Sequence, residues 1–314
     1  MKFFNKVLPH RAIVLLYHSI ADVQNDPFYL HVNIDHFESH LKIINHYYAP
    51  ISMTDLIDCL TFGYNLPKRA VVLTFDDGYA NSYTTVTPLL EKYHMPATLF
   101  VTSGQVNSNR EFWWDELEQL LLLGESFNTS VLFDLLDIMK EKAATISLGK
   151  SPVEVYLSIW ERIFLMSAIK KEQFFEELCK RTGKKLITRS SHRILTKEEF
   201  LCIGHNPNWE IGAHSVSHYP LAELSKDSQR VEIVGCKDYI ESVLKRQIQY
   251  FSYAHGSFSD ETESLLDEMG FRAAFTTKYG IVSNKSDIFH LPRLQVKNWP
   301  ACSFGRILLK GYYS

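Results

Sequence analysis

Short apolar runs alternate with amphipathic stretches over the first third of the chain. Residues 12–17 and 70–75 are continuous apolar runs, the pattern of strands that are covered on both faces. Residues 34–46 place apolar side chains on one face at helical spacing. This β–α–β rhythm predicts parallel strands joined by helices. Here we predict strands at residues 12–17, 70–75 and 97–101, and helices at 34–46, at 82–93 and from Asp55 after a Thr54 cap.

The rhythm stops near residue 103. Residues 107–191 are rich in Leu, Glu, Lys and Phe with helical periodicity, which predicts a helical insertion within a single domain spanning 1–314. Trp113 and Trp114 open the insertion; they form either a wall for a sugar ring or packing between the insertion and the rest. After it we predict strands at residues 210–213, 250–253, 273–276 and 291–296, and helices after Thr196, at 227–244 and at 261–269. The predicted fold class is α/β, a barrel or barrel-like sheet interrupted by a helical excursion.

Composition narrows the function classes. A net charge of −3 gives no positive field for a nucleic-acid partner. The five cysteines are scattered, which favours reduced thiols over a disulfide framework. The first apolar run, residues 13–16, is too short for a signal peptide, and no stretch approaches a membrane span. We therefore expect a cytoplasmic protein, or one peripheral to a membrane, whose oligomeric state the sequence leaves open.

Two adjacent carboxylates follow the strand at residues 70–75. In the sequence TFDDGY, Asp76 and Asp77 would repel each other in a partly dry site unless a positive charge is near. A divalent cation meets that need, and Gly78 allows a tight turn. The alternative is an Asp-Asp-Gly turn or helix cap of the kind common in α/β proteins.

A pair of histidines follows the strand at residues 210–213. In GAHSVSH, His214 and His218 stand at i and i+4, a spacing that we expect to place both rings on one side of a helical turn. Two capping or surface histidines among the thirteen in the chain are the alternative. Because functional groups of such folds gather after the carboxyl ends of strands, His18, Tyr253 and His255 are expected on the same rim. Two histidines and a carboxylate are the ligand count of a catalytic metal site.

TFDDGY followed by HSVSH resembles the first two motifs of the polysaccharide deacetylases, the NodB-homology type of carbohydrate esterase family 4. The flanking segments LYHS and PATLFV agree, and the resemblance covers about residues 12–105 and 195–296. It implies a distorted (β/α)7 barrel. It also implies Asp76 as the general base and metal ligation by Asp77, His214 and His218. In the resulting mechanism we expect the oxyanion to be held by the metal and by a backbone N–H near Tyr79. The metal is expected to be Zn²⁺, with Co²⁺, Ni²⁺ or Fe²⁺ as alternatives.

The later motifs depart from the family pattern. The third reads Tyr253-Ala254-His255-Gly256, without the usual Pro. His290 is the nearest counterpart of the family's general acid, and His18 and His255 are the alternatives for that role. We also predict that His18, Tyr79, Tyr253 and His255 contact the substrate. Arg293, also grouped with them, either pairs with Asp76 and tunes its pKa or forms a surface ion pair.

The resemblance implies removal of an N-acetyl or N-formyl group from an amino sugar. The expected partner is an N-acylated glycan of the cell surface or its lipid-linked precursor. Two alternatives stay open: an amidase on a small non-sugar amide, such as a purine-breakdown intermediate, and a degenerate domain that binds glycan without turnover.

Overall fold

The computed structural model describes residues 11–123, 129–139 and 151–313. The chain divides into two compact units. The first comprises the described residues within 1–22, 29–107 and 195–314, and the second those within 23–28 and 108–194. Among the described residues, no helix combines the length and the apolar character that crossing a bilayer requires.

A curved, mainly parallel sheet forms the centre of the first unit. Its strands follow the order β10-β1-β5-β6-β7-β8-β9, with β4 beside β5, β11 beside β1, and β10 as the antiparallel member. A separate pair, β2 and β3, stands beside it. The bounds are β1 Arg11–Tyr17, β2 Ser19–Ile20, β3 His31–Val32, β4 Ala49–Pro50, β5 Ala70–Phe75, β6 Ala97–Val101, β7 Trp209–Ala213, β8 Tyr250–Ser252, β9 Ala273–Phe275, β10 Val282–Ser283 and β11 Leu294–Gln295.

The segment at residues 291–295 contacts β9 at one end of this strand order and β1 near the other end. Leu291 bridges Phe275 in β9, and three residues later β11 pairs with Leu15 and Leu16 of β1. The predicted strand at residues 291–296 is therefore real but split between two neighbours. The parallel sheet with surrounding helices is a partial barrel of the predicted (β/α)7 type.

Helices cover the sheet of the first unit. The bounds are α1 Ile34–Tyr47, α2 Met53–Phe62, α3 Thr87–Tyr93, α8 Lys197–His205, α9 Lys226–Leu244, α10 Asp260–Glu268 and α11 Ala301–Tyr313. Most match the predicted helices within two residues. Residues 82–93 differ because Ser82–Val86 forms a π-helical turn before α3. The α11 helix was not predicted, although Phe304 and Leu308 bury one of its faces.

The prediction that Thr54 caps the second helix was wrong. Ser52 is the N-cap of α2, because its hydroxyl accepts the Asp55 N–H while the Asp55 carboxylate accepts the Ser52 N–H in return. The Thr54 hydroxyl instead hydrogen-bonds Glu210 in β7.

The second unit is helical. Its helices are α4 Trp113–Leu121, α5 Thr129–Ile138, α6 Pro152–Ile163 and α7 Ala168–Thr182. Leu117, Tyr156 and Phe175 belong to its own core, and the Trp113 ring stacks on Trp160 with centroids 5.6 Å apart. Trp113 thus packs inside this unit.

Candidate active site at the carboxyl ends of the strands

The two adjacent aspartates stand where β5 ends. The Asp76 N–H continues the sheet by donating to Tyr17 O at the end of β1. Asp77 then adopts φ 78° and Gly78 φ 96°, both in the left-handed region that favours glycine. Because this turn interrupts the alternation of a strand, both carboxylates approach the same atom: Asp76 Oδ2 lies 3.8 Å and Asp77 Oδ1 3.4 Å from His214 Nε2.

Arg293 binds Asp76 through a two-pronged ion pair. Its Nη1 and Nη2 donate to Asp76 Oδ1 and Oδ2 at 2.8 and 2.7 Å, and both side chains are buried. The remaining N–H groups donate to Thr276 O, Thr74 Oγ1 and Ser252 Oγ, so all five donors of the guanidinium have partners inside the protein. The predicted pairing of Arg293 with Asp76 is present, whereas the prediction that Arg293 contacts substrate is wrong because no donor is left for one.

The ion pair keeps Asp76 ionised. Burial raises the pKa of Asp76, but attraction from Arg293 and then from His214 outweighs it, so the pKa lies below its ordinary value. The Ser252 hydroxyl also donates to Asp76 Oδ2 at 3.0 Å. Asp76 is therefore a fixed, unprotonated carboxylate at neutral pH.

The two histidines lie on a loop, which corrects the expected helical turn. After β7 the chain turns through left-handed Ser215 and His218, with φ 64° and 58°. The Ser215 hydroxyl accepts the His218 N–H at 3.0 Å, and Glu232 on α9 accepts the N–H groups of the two residues between them. Side-chain hydrogen bonds thus bring the rings together where no helix does.

Asp77, His214 and His218 form a buried cluster. His218 Nε2 lies 3.1 Å and His214 Nε2 3.4 Å from Asp77 Oδ1, and one ligand atom from each residue falls within 4.8 Å of the others. His214 Nδ1 lies 2.7 Å from Ser252 O, so it is the nitrogen that donates, and the Nε2 lone pair faces the cluster. Among the described residues, none hydrogen-bonds Asp77 Oδ1 with proper geometry.

This donor set fits a divalent cation. Arg293 offsets the charge of Asp76, whereas the Asp77 carboxylate faces two imidazoles and keeps an oxygen without a hydrogen bond. A cation bound by that oxygen and the two Nε2 atoms would satisfy all three.

The pKa shifts agree with a negative centre in a dry site. Burial raises the pKa of Asp77, yet His218 and His214 hold it well below its usual range. Burial lowers the pKa of His214, but Asp76 and then Asp77 raise it above the ordinary value. Burial dominates at His218, whose pKa is lowered. Because the pKa of His214 is raised, a metal ion would compete with a proton for its Nε2.

His18 and His255 lie beside this cluster. Tyr17 pairs with Phe75, so His18 and Asp76 are the next residues at the ends of adjacent strands. Burial lowers the pKa of His18, while Asp77 and then Asp76 raise it. The His255 ring meets that of His218 edge to face, with centroids 4.4 Å apart, and its backbone is left-handed.

Three other predicted residues lie differently. The His290 ring is 2.8 Å from Asp287 and 3.4 Å from Glu263 and packs on Phe258, and the described contacts do not connect it with the aspartate pair. Tyr253 is fully buried and its hydroxyl donates to Phe289 O, so it supports the core and offers substrate nothing. Tyr79 is fully buried near His31, and the predicted oxyanion role of the backbone N–H near it stays a prediction.

Several residues of the site escaped sequence reasoning. Thr74 and Ser252 orient the ion pair, and Glu232 anchors the histidine loop. The only signal was position, since Thr74 and Ser252 are polar residues within apolar strands.

Known proteins resemble this chain over most of its length. A family model described as polysaccharide deacetylase matches residues 63–145 and 170–274. The chain is 21% identical over 295 residues to the poly-β-1,6-N-acetyl-D-glucosamine N-deacetylase of Escherichia coli (strain K12), which covers 93% of this chain but 38% of that enzyme. It spans well under half of that relative.

Solved structures share the fold. PplD, a deacetylase of Streptococcus pyogenes solved in complex with acetate, has 19% identity and a TM-score of 0.59 over 97% of this chain and 99% of that one. IcaB of Ammonifex degensii has 15% identity and a TM-score of 0.63 over 96% of this chain and 97% of that one.

Proposed function

This chain belongs to the polysaccharide deacetylase family, hydrolases of carbon–nitrogen bonds, and from that premise we propose that it removes N-acetyl groups from an amino sugar within a polysaccharide. The observation that carries the proposal is the joint burial of the Arg293-bound Asp76 carboxylate and the cluster of Asp77, His214 and His218. The N-acetylglucosamine polymer named for the Escherichia coli relative supports the substrate class.

Asp77, His214 and His218 would hold the metal. Two imidazoles and one carboxylate favour Zn²⁺, and Co²⁺, Ni²⁺ or Fe²⁺ would suit the same donors. A divalent cation bound there supplies a Lewis acid that polarises the amide carbonyl and acidifies water. Ser252 O fixes the His214 ring by accepting its Nδ1–H, so the ligand nitrogen needs no reorientation on binding.

Asp76 acts as the general base. Its carboxylate is ionised, and its Oδ2 lies 3.8 Å from His214 Nε2, beside the proposed ligand set. A water attacking the amide carbon there gives its proton to Asp76. Arg293 and Ser252 hold the carboxylate in place, so its orientation costs little entropy during the reaction.

We assign the general acid to His18. The acid must reach the departing nitrogen from the rim, and His18 is half-buried beside Asp76, within the field of both aspartates. His290 is directed toward Asp287 and Glu263 instead. His255 is the alternative, because its ring contacts that of a proposed ligand.

The experiment measures acetate release from N-acetylglucosamine oligomers and ring opening of a small cyclic amide, with metal content determined on the same samples. We expect metal-dependent acetate release from the oligomers alone. Asp76→Asn should keep the metal and lose roughly 10²–10⁴-fold in rate. Turnover of the cyclic amide alone would mean that the substrate is a small non-sugar amide and not an N-acetylated polysaccharide. Metal binding with no turnover of either compound would favour a glycan-binding domain.

An N-formyl substrate, a lipid-linked substrate and a cytoplasmic location stay predictions.

A further inference from the structure

A basic and aromatic patch lies at the amino-terminal end of β5, opposite the site. We define the patch as residues 42–48 at the end of α1, 62–69 between α2 and β5, and 301–313 of α11. Arg69 ties the three segments together: its backbone N–H donates to the Tyr312 hydroxyl at 2.7 Å and its Nη1 to Tyr47 O at 3.4 Å. The patch therefore lies wholly within the first unit.

The charge of the patch contrasts with that of the whole chain. Its segments contain no Asp or Glu, although the chain carries a net charge of −3. The cations are Lys42, Lys68, Arg69, Arg306 and Lys310. Lys42 pairs with Glu38 just outside the patch, whereas among the described residues no carboxylate forms an ion pair with Lys68, Arg306 or Lys310, all of them exposed. Three of its five cations, Lys68, Arg306 and Lys310, are thus exposed without an ion pair among the described residues.

Large apolar side chains are exposed among these cations. Their exposed fractions are 56% for Tyr47, 61% for Phe62, 63% for Tyr64 and 45% for Leu309. The Phe62 and Tyr64 rings contact each other with centroids 5.8 Å apart. Grouped exposed aromatics are unusual on a free protein surface and mark an interaction site.

An apolar groove of about 430 Å³ runs between α1 and α11. Ile43, Gly305 and Leu309 contribute to its lining, and Arg69 and Arg306 are its basic members. There is free space beside Gly305, since the nearest atom to a Cβ at this position would be Ile43 Cδ1 at 3.9 Å, an ordinary van der Waals distance. The groove offers apolar depth directly beside positive charge.

We propose that this patch binds an anionic lipid surface, with the aromatic side chains at headgroup depth, the cations against the headgroups and the groove receiving part of an acyl chain. Cations beside aromatic and leucine side chains are the composition of helices and loops that lie in a membrane interface. A second copy of this chain fits poorly, because a two-fold contact would place the exposed cations of the two patches against each other.

Lipid binding at the patch would fix the orientation of the catalytic rim. Arg69 immediately precedes β5 and Asp76 immediately follows it, so the patch and the site are separated by roughly 23 Å at about 3.3 Å per residue. Lipid bound at the patch leaves the rim facing away from the bilayer. The site would then meet a polymer from the solvent side, and the lipid at the patch would not carry the substrate into the site.

The test is cosedimentation of the full chain with vesicles, which requires no turnover and is independent of the proposed activity. We expect binding to phosphatidylglycerol vesicles, little binding to phosphatidylcholine vesicles, and weakening as salt rises above about 0.15 M. Arg306→Gln with Lys310→Gln should weaken binding roughly 25-fold, at about fivefold per cation. Phe62→Ser with Tyr64→Ser should also weaken it several-fold.

The matched control is Lys170→Gln with Lys226→Gln, which removes two exposed lysines outside the patch and should leave binding within about twofold. Circular dichroism of each variant reports folding. The proposal is overturned if the wild-type chain ignores anionic vesicles or binds both lipids equally. Equal loss in the control pair overturns it as well. So does a dimer, seen by sedimentation velocity without lipid, that the Arg306 and Lys310 variant dissociates.

Discussion

Two clusters in the first unit are built from the same residue types in different surroundings. Asp77, His214 and His218 meet in the interior, and Glu263, Asp287 and His290 meet at the surface. Both bring three ligand atoms within 4.8 Å of one another. In the surface cluster each imidazole nitrogen faces a carboxylate, at 2.8 and 3.4 Å, so its charges can be matched internally and by water.

The interior cluster lacks that internal match. Its carboxylate oxygen faces the Nε2 atoms of two imidazoles, and the His214 ring directs its proton from Nδ1 to Ser252 O instead. All three side chains are buried. Burial of unmatched charge is costly, so this cluster requires a cation or shared protons, whereas the exposed one does not. Surroundings, rather than residue types, distinguish a functional site from a surface ion pair here.

The largest expected effect comes from removing one histidine from each cluster. His214→Ala should abolish metal binding and lower activity by at least about 10³-fold, because two donors cannot hold the ion in a reactive geometry. His290→Ala, the matched control, should keep the metal and most of the activity. Elemental analysis and acetate release measure both.

Equal metal loss in the two variants would mean that the comparison is wrong. Retained metal with lost activity in His290→Ala would return His290 to the role of general acid that the sequence predicted for it.

Arg293→Met tests the buried ion pair beside the interior cluster. It leaves Asp76 as a buried carboxylate without its cation, which should lower the free energy of unfolding by about 3–5 kcal/mol. The double variant Arg293→Met with Asp76→Asn should regain much of that loss, since no charge is stranded. Urea denaturation measures both, and equal destabilisation of the single and double variants would show that Arg293 acts by packing alone.

The sequence predicted the sheet better than the site. Residues 97–101 and 70–75 form strands with the predicted bounds because continuous apolar β-branched runs have few other stable conformations. The two-residue strand β10 and the helix α11 were missed because short pairings and late amphipathic segments depend on tertiary neighbours.

At the site, the sequence spacing of the two histidines correctly predicted that their rings are neighbours but predicted the wrong backbone conformation. The i, i+4 pattern of His214 and His218 predicted a helical turn, yet their rings meet across a loop with left-handed Ser215 and His218. Four of the nine non-glycine residues with positive φ among those described are Asp77, Ser215, His218 and His255. Such backbone strain is held by the surrounding fold and leaves little signal in spacing.

A further histidine, His40, shows the effect of burial on a pKa without a neighbouring carboxylate. His40 is fully buried without a carboxylate, its Nε2–H donates to Trp299 O at 2.6 Å, and its ring stacks on Phe304. Burial lowers the pKa of His40 to about 4. The unfolded chain takes up this proton near pH 6.5, so the stabilising contribution is complete above that pH and is lost as pH falls toward 4.

This loss should reach about 3 kcal/mol, from about 2.5 pKa units at 1.36 kcal/mol each. His40→Gln should be less stable near pH 7.5 yet lose less on acidification. Urea denaturation across this pH range measures the difference between the two chains. Parallel pH profiles would show that His40 is not held neutral by burial.

The smallest effect should come from the surface cluster. Asp287→Asn removes a carboxylate that lies 2.8 Å from His290. The Asp287 side chain is 55% exposed. Solvent screens an exposed pair, so the free energy of unfolding should change by less than about 1 kcal/mol. Asp77→Asn, the matched change in the interior cluster, should alter metal content and activity strongly. If Asp287→Asn instead destabilised the chain as much as Arg293→Met does, exposure would not separate the two clusters, and the distinction between them would need another physical cause.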